Sequence, residues 1–125
     1  MKVLIIDDDA DIRAIARLSL SRVGGMDVIE AASGAEGVRK ARDEKPDVIL
    51  LDMMMPTMDG SETLAALRSQ PATAMTPVII LTAKAVGAEV ERIRALGAAG
   101  VLIKPFDPRT LSGDVRALIN RPLDA

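Results

Sequence analysis

Four short apolar runs in this chain each end on a polar side chain, and that pattern constrains the fold more than any other feature. Val3, Leu4, Ile5 and Ile6 lead into Asp7, Asp8 and Asp9, and Val48, Ile49, Leu50 and Leu51 lead into Asp52. Val78, Ile79, Ile80 and Leu81 end at Thr82, and Val101, Leu102 and Ile103 end at Lys104 and Pro105. Uninterrupted runs rich in Val and Ile, separated by helix-like stretches, read as strands buried on both faces of a parallel sheet. Parallel strands direct their carboxyl ends to one edge, where open α/β sheets bind ligands. Carboxylates, a hydroxyl and an ammonium group are therefore expected to converge there.

The stretches between the runs predict helices. The first covers residues 10–23 and is stopped by Gly24 and Gly25. A weaker strand covers residues 27–32, and Ser33 caps a helix reaching residue 44, which Pro46 breaks. Residues 53–60 form a loop marked by Pro56 and the turn pair Asp59 and Gly60, and Ser61 starts a helix that Pro71 limits. Pro77 stands at the entry of the fourth long run, where a missing donor is tolerated. A helix over residues 88–96 stops at Gly97, residues 100–103 form the last strand, and Pro108 opens a final helix to residue 120. Strand and helix alternate five times, so the class is α/β, a doubly wound five-stranded parallel sheet with helices on both faces, read as one domain over residues 1–125. Right-handed crossovers leave few strand orders. Order 2-1-3-4-5 would put the switch point between the first and third strands, both of which end in aspartates.

Absences narrow the chemistry. The 125 residues are 49% hydrophobic and 27% charged, an ordinary globular composition, and a formal net charge of -2 gives no general pull toward nucleic acid or anionic membranes. There is no Cys and no His, which removes disulfides, thiolate nucleophiles, zinc–thiolate sites and imidazole acid–base chemistry. Phe106 is the single aromatic residue, too few for a base-stacking platform. No apolar run is long enough to cross a bilayer, and no basic segment precedes an apolar core at the N-terminus, so the expected location is cytoplasmic, without membrane insertion or direct nucleic-acid binding.

Clustered carboxylates without His or Cys suit a hard divalent cation. Mg²⁺ takes octahedral oxygen ligands and retains several waters, so few protein ligands suffice. Asp8 and Asp52 are the candidate direct ligands, with Asp7 acting through water; the bland alternative is that Asp8 or Asp9 only caps the first helix. An aspartate can also accept a phosphoryl group as an acyl phosphate. Such transfer needs positioning and charge neutralisation, which Mg²⁺, Lys104, Thr82 and nearby N–H groups would supply together. Taken singly, a Thr at a strand end or a Lys after it is ordinary.

The segments Leu4 to Asp9, Leu51 to Pro56, Met58-Asp59-Gly60, Leu81-Thr82-Ala83 and Lys104-Pro105-Phe106 together resemble the receiver domain of two-component response regulators, in order and spacing over nearly the whole chain. The resemblance implies Asp52 as phosphoacceptor, Asp7 and Asp8 as the acidic pocket for Mg²⁺, and the Met54 carbonyl as the remaining protein ligand. It implies that Lys104 pairs with the phosphoryl group, that Thr82 hydrogen-bonds it, and that the Lys104–Pro105 bond is cis. It also supplies the 2-1-3-4-5 order, which periodicity alone leaves open.

One position departs from the family. Val101 stands where an aromatic switch residue is usual, and a β-branched side chain cannot perform a ring swing. The expected switch therefore remodels the loop after Thr82 and the following helix without an aromatic gate. Ala83 is small and keeps the approach to Asp52 open, whereas Met54 and Lys84 border the path of the hydrolytic water implied by the family. Met55, Met58 and Phe106 read as packing residues. Arg92, Arg94, Arg109 and Arg116 read as solvated helix faces.

The implied partners are a sensor histidine kinase or histidine phosphotransfer protein as donor and a downstream target protein as output. The output surface would be the fourth helix, fifth strand and fifth helix. The expected form is a stand-alone, single-domain receiver; if an effector domain follows residue 125, the chain is instead a module of a larger regulator. A Mg²⁺-dependent aspartyl-phosphate phosphatase is a third possibility, but Met53 and Met54 stand where a second acid–base aspartate would be needed, and the length leaves no cap. A degenerate receiver serving as a constitutive scaffold is disfavoured by the intact Asp, Thr and Lys set.

Overall fold

The computed structural model describes residues 1–83 and 87–120. Lys84 lies outside the described residues. Five parallel strands, β1 (Lys2–Ile6), β2 (Asp27–Ala31), β3 (Val48–Asp52), β4 (Val78–Thr82) and β5 (Gly100–Ile103), form one sheet in the order β2-β1-β3-β4-β5. Five α-helices connect or follow them: α1 (Ala10–Leu18), α2 (Gly34–Glu44), α3 (Gly60–Ser69), α4 (Gly87–Ala95) and α5 (Leu111–Ile119).

Alternation along each strand divides the core between the two faces. Leu4, Ile6, Ile49, Leu51, Val78 and Ile80 pack with Ala41, Leu64, Leu67 and Ile93 from α2, α3 and α4. Their neighbours Val3, Ile5, Val48, Leu50, Ile79 and Leu81 pack with Ala16 of α1, Leu20, and Leu111 and Val115 of α5. Every residue of β3 and β4 is buried, as an apolar run covered on both sides requires. Truncating any of these Leu or Ile side chains to Ala would cost about 2–5 kcal/mol.

Three helix ends differ from the sequence expectation. The first helix runs over the predicted length, but its last stretch, Ser19–Val23, is a π-turn. The buried Ser19 hydroxyl donates to the Pro108 carbonyl and Arg116 donates to the Gly24 carbonyl at 2.7 Å, which ties this stretch to α5. Asp59 and Gly60 are not a separate turn but the start of α3. Asp59 accepts from the Glu62 N–H at 2.9 Å while Glu62 accepts from the Asp59 N–H at 3.2 Å, a reciprocal cap. Pro108 does not open α5. Asp107 holds a preceding turn, its carbonyl accepting from Thr110 and Leu111 and its carboxylate from the Arg109 N–H, so the helix begins at Leu111.

At the edge where the strands begin, Arg68 near the end of α3 donates to the carbonyls of Thr73, Ala74, Thr76 and Gly97 at 2.8–3.3 Å. Burial pulls its pKa below the ordinary guanidinium value, and among the described residues no carboxylate pairs with it. Gly97 has φ +98, a conformation that favours glycine, and faces this guanidinium.

Candidate functional site

Asp7, Asp52, Thr82 and Lys104 meet at the opposite edge because β1, β3, β4 and β5 all terminate there. The β1 ladder extends one step further through the Asp7 N–H to the Ala31 carbonyl at 3.1 Å, and the β5 side through the Lys104 N–H to the Thr82 carbonyl at 2.8 Å. Asp7 is fully buried and Asp52 is 5% exposed, whereas Asp8 is exposed. Lys104 Nζ lies 2.7 Å from Asp7 Oδ2 and 3.2 Å from Asp52 Oδ1. Asp7 Oδ1 accepts from the Asp9 N–H at 2.9 Å, so both of its oxygens are engaged. Asp52 Oδ1 also accepts, at 3.4 Å, from the Met54 N–H. Asp9, not Asp8, caps α1, accepting from the N–H groups of Asp11 and Ile12, which leaves Asp8 available to the pocket.

Charge is unbalanced here. Burial and the neighbouring Asp7 carboxylate raise the Asp52 pKa above the ordinary carboxylate value, and Lys104 offsets only part of that. Burial alone would lower the Lys104 pKa, but its hydrogen bond and ion pair with Asp7, with the Asp52 charge added, raise it overall. One carboxylate oxygen from each of Asp7, Asp8 and Asp52 lies within 4.8 Å of the others. Oxygens on opposite sides of a Mg²⁺ ion stand about 4.2 Å apart, from metal–oxygen distances near 2.1 Å. The hard, anionic donor set and its spacing thus fit a divalent cation.

The remaining sequence candidates divide. Thr82 is buried at the end of β4, and Ala83 beyond it is exposed. Met54 is 77% exposed, while Met53 and Met55 on either side are buried. Val101 is half-buried, paired in register with Ile80 and packed on the α2, α3 and α4 side of the sheet. Phe106 packs with the opposite cluster. The Lys104–Pro105 bond is cis. Arg92 pairs with Glu89 and Arg109 with Asp107, and all four of the helix and loop arginines named above are exposed.

A family profile described as response regulator receiver domain matches residues 3–116. The chain belongs to that family. The receiver is 37% identical to protein PilG of Pseudomonas aeruginosa, covering all of this chain and 93% of PilG. It is 40% identical to the alkaline phosphatase synthesis transcriptional regulatory protein PhoP of Bacillus subtilis over 96% of this chain and 49% of PhoP. The chain spans about half the length of that regulator and of similar ones such as ResD. Among solved structures, the Vibrio cholerae chemotaxis protein CheY4 is 37% identical with a TM-score of 0.88, covering 94% of the receiver and 97% of CheY4. The recognition and the fold class read from sequence both hold: a receiver of the two-component response regulators on a 2-1-3-4-5 sheet.

Sequence reasoning missed one residue beside the site. The Arg13 guanidinium on α1 donates through Nη1 to the Asp7 carbonyl at 2.8 Å and through Nε to Glu30 Oε1 at 3.2 Å. The available signal was the pair Arg13 and Arg17, one helical turn apart, opposite an acidic residue in a neighbouring strand.

Proposed function

We propose that this receiver is a phosphorylation-controlled switch in a two-component phosphorelay, with Asp52 as the phosphoacceptor. The observation that carries the reading is the Lys104 ammonium shared between Asp7 and Asp52 at 2.7 and 3.2 Å, with Asp8 as the third carboxylate of the cluster. A sensor histidine kinase or histidine phosphotransfer protein is the donor. An Asp52 oxygen bonds to phosphorus as the phosphorus–nitrogen bond of the donor phosphohistidine breaks, and the leaving imidazole nitrogen takes a proton from solvent. Asp8, Asp52 and the Met54 carbonyl would hold Mg²⁺, with Asp7 assisting, and the ion would supply charge neutralisation for the phosphoryl oxygens. Lys104 binds a second phosphoryl oxygen and the Thr82 hydroxyl donates to another. Ala83 leaves the approach open, while Met54 and Lys84 influence access of the water that later hydrolyses the acyl phosphate.

Residues 1–125 act as one cytoplasmic receiver domain whose modified form binds a downstream target protein differently, without contacting nucleic acid directly or entering a membrane. No helix among the described residues is long and apolar enough to cross a membrane. Apart from its own modification and slow dephosphorylation the receiver catalyses nothing. A second reading draws on the half-length match to PhoP: the chain is the receiver module of a longer regulator and controls an attached effector domain.

Incubation with acetyl phosphate and Mg²⁺, followed by intact mass measurement, tests the switch. One phosphoryl group on wild type and none on Asp52→Asn is the expected result. Equal labelling of both would overturn the assignment of Asp52, and turnover of small phosphate esters would favour a phosphatase.

A further inference from the structure

We propose that Arg13 is the positioning residue of the acidic pocket, acting on metal affinity through the Asp7 carbonyl. This rests on the reading above, in which Asp7, Asp8 and Asp52 form a Mg²⁺ site. Past Asp7 the chain leaves the sheet, and it must turn into α1 through Asp8 and Asp9. Three consecutive carboxylates repel one another, so something must hold that turn in the form that points the pocket inward.

Arg13 reaches back from the first turn of α1 to do so. Its Nη1 donates to the Asp7 carbonyl at 2.8 Å, on the backbone of the pocket rather than on a carboxylate. Its Nε donates to Glu30 on β2 at 3.2 Å, and Glu30 is itself held by Arg17 at 2.9 Å through its other oxygen. Lys40 of α2 donates to the Glu30 carbonyl at 2.6 Å, and Glu30 lies in register with Ile5 of β1. The guanidinium fork is therefore fixed on one side by a strand and on the other fixes the turn, an outer-shell arrangement of the kind that orients metal ligands.

The sign of its effect separates positioning from simple charge. As a bare cation near a metal site Arg13 would repel the ion, and its removal would tighten binding. Arg13 and Arg17 share the single Glu30 carboxylate, so the cluster stays net positive; charge alone predicts tighter binding without Arg13, and weaker binding reports the lost geometry of Asp7 and Asp8. Arg17 is the internal control, because it shares Glu30 but makes no contact with Asp7.

Calorimetric titration of Mg²⁺ into the full chain and into Arg13→Gln, Arg13→Lys and Arg17→Gln tests this, together with the metal-free melting midpoint of each. Arg13→Gln is expected to weaken binding about tenfold, the lower end for loss of an outer-shell partner. Arg13→Lys, whose single nitrogen lacks the spread of the Nε and Nη1 fork, falls between it and wild type, and keeps the test open should Arg13→Gln fail to fold. Arg17→Gln stays close to wild type in affinity. Unchanged or tighter binding by the Arg13 variants, or an equal loss in Arg17→Gln, would overturn the proposal. Should wild type itself bind no Mg²⁺, the metal site and this inference fall together; the other outcomes bear on Arg13 alone.

Discussion

The Lys104 ammonium bridges Asp7 and Asp52, 2.7 Å from one carboxylate and 3.2 Å from the other, so a single cation from the end of β5 serves acids at the ends of β1 and β3. Two buried negative charges share one positive charge, with the Asp8 carboxylate beside them. The pocket is left electrostatically short of one cation, and it is this shortfall that a divalent ion would relieve.

The first consequence concerns Asp52→Asn. The Asp52 pKa is raised in the folded state, so stability linked to its protonated form is present below the unfolded value and is lost as pH rises through the folded one. At neutral pH the ionised side chain therefore weakens the metal-free fold. Asp52→Asn should therefore stabilise the metal-free protein, seen as a higher urea midpoint at pH 7. Urea melts across pH will show the gap closing as the solution is acidified.

Lys104→Met acts in the opposite direction. Its raised pKa means that its contribution is fully present at neutral pH and is lost only in alkali, above the unfolded value. Removing it strands Asp7 and Asp52 together, and a loss of about 2 kcal/mol is expected at pH 7, below the range for fully buried pairs because Lys104 is partly exposed. Acidification, by protonating the stranded Asp52, will recover part of that loss in the same melts.

Thr57 carries stored strain. Its φ is 69°, and the Met58 N–H bonds across it to the Pro56 carbonyl at 2.7 Å, a γ-turn in the unfavourable sense for a β-branched residue. Thr57→Gly should stabilise the protein by about 1 kcal/mol, the relieved backbone strain exceeding the entropy that glycine adds to the unfolded chain. Thermal unfolding will measure it.

Gly60 admits no side chain. A Cβ there would stand 2.7 Å from both the Asp52 carbonyl and Met53 Cα, backbone atoms that cannot rotate aside. Gly60→Ala should destabilise by about 1–3 kcal/mol, as overpacking does, and displace the β3 exit. A fall in melting midpoint together with shifted Asp52 and Met53 amide resonances is the expected outcome.

Val101 sets the expectation for the switch itself. With a half-buried valine facing the α2, α3 and α4 side, no ring can rotate behind Thr82. Binding of a phosphate mimic such as beryllofluoride should shift resonances of Ala83 and α4. If those residues stay unmoved, the switch works elsewhere.

Most of this architecture was legible because its signals are long and mutually consistent. A run such as Val48 to Leu51, apolar throughout, has few alternatives to a covered parallel strand, and the aspartate closing it marks the edge. The strand order was not legible from periodicity and came with the family resemblance. Helix ends were the weak point, for local reasons. Asp59 and Gly60 carry turn chemistry whether they form a loop or begin a helix, and only the reciprocal bond with Glu62 decides. Pro108 suits a first helical position, yet Asp107 captures the N–H groups that follow it. Arg13 was missed because an arginine on a helix is by default a solvated one; its spacing from Arg17 was a faint signal, and nothing in sequence reveals that its reach ends on a carbonyl.

The Arg68 clasp has a consequence for how the molecule meets acid. Its acceptors are peptide carbonyls, which do not titrate, whereas the far edge is held by groups that do. As protons accumulate, the ionic ties at the strand exits weaken while the entries of β4 and β5 stay clasped by a guanidinium that keeps its charge. That half of the sheet therefore has a foundation indifferent to acid beneath a responsive rim, whereas the entries of β1 and β3 lean on the Asp47 carboxylate.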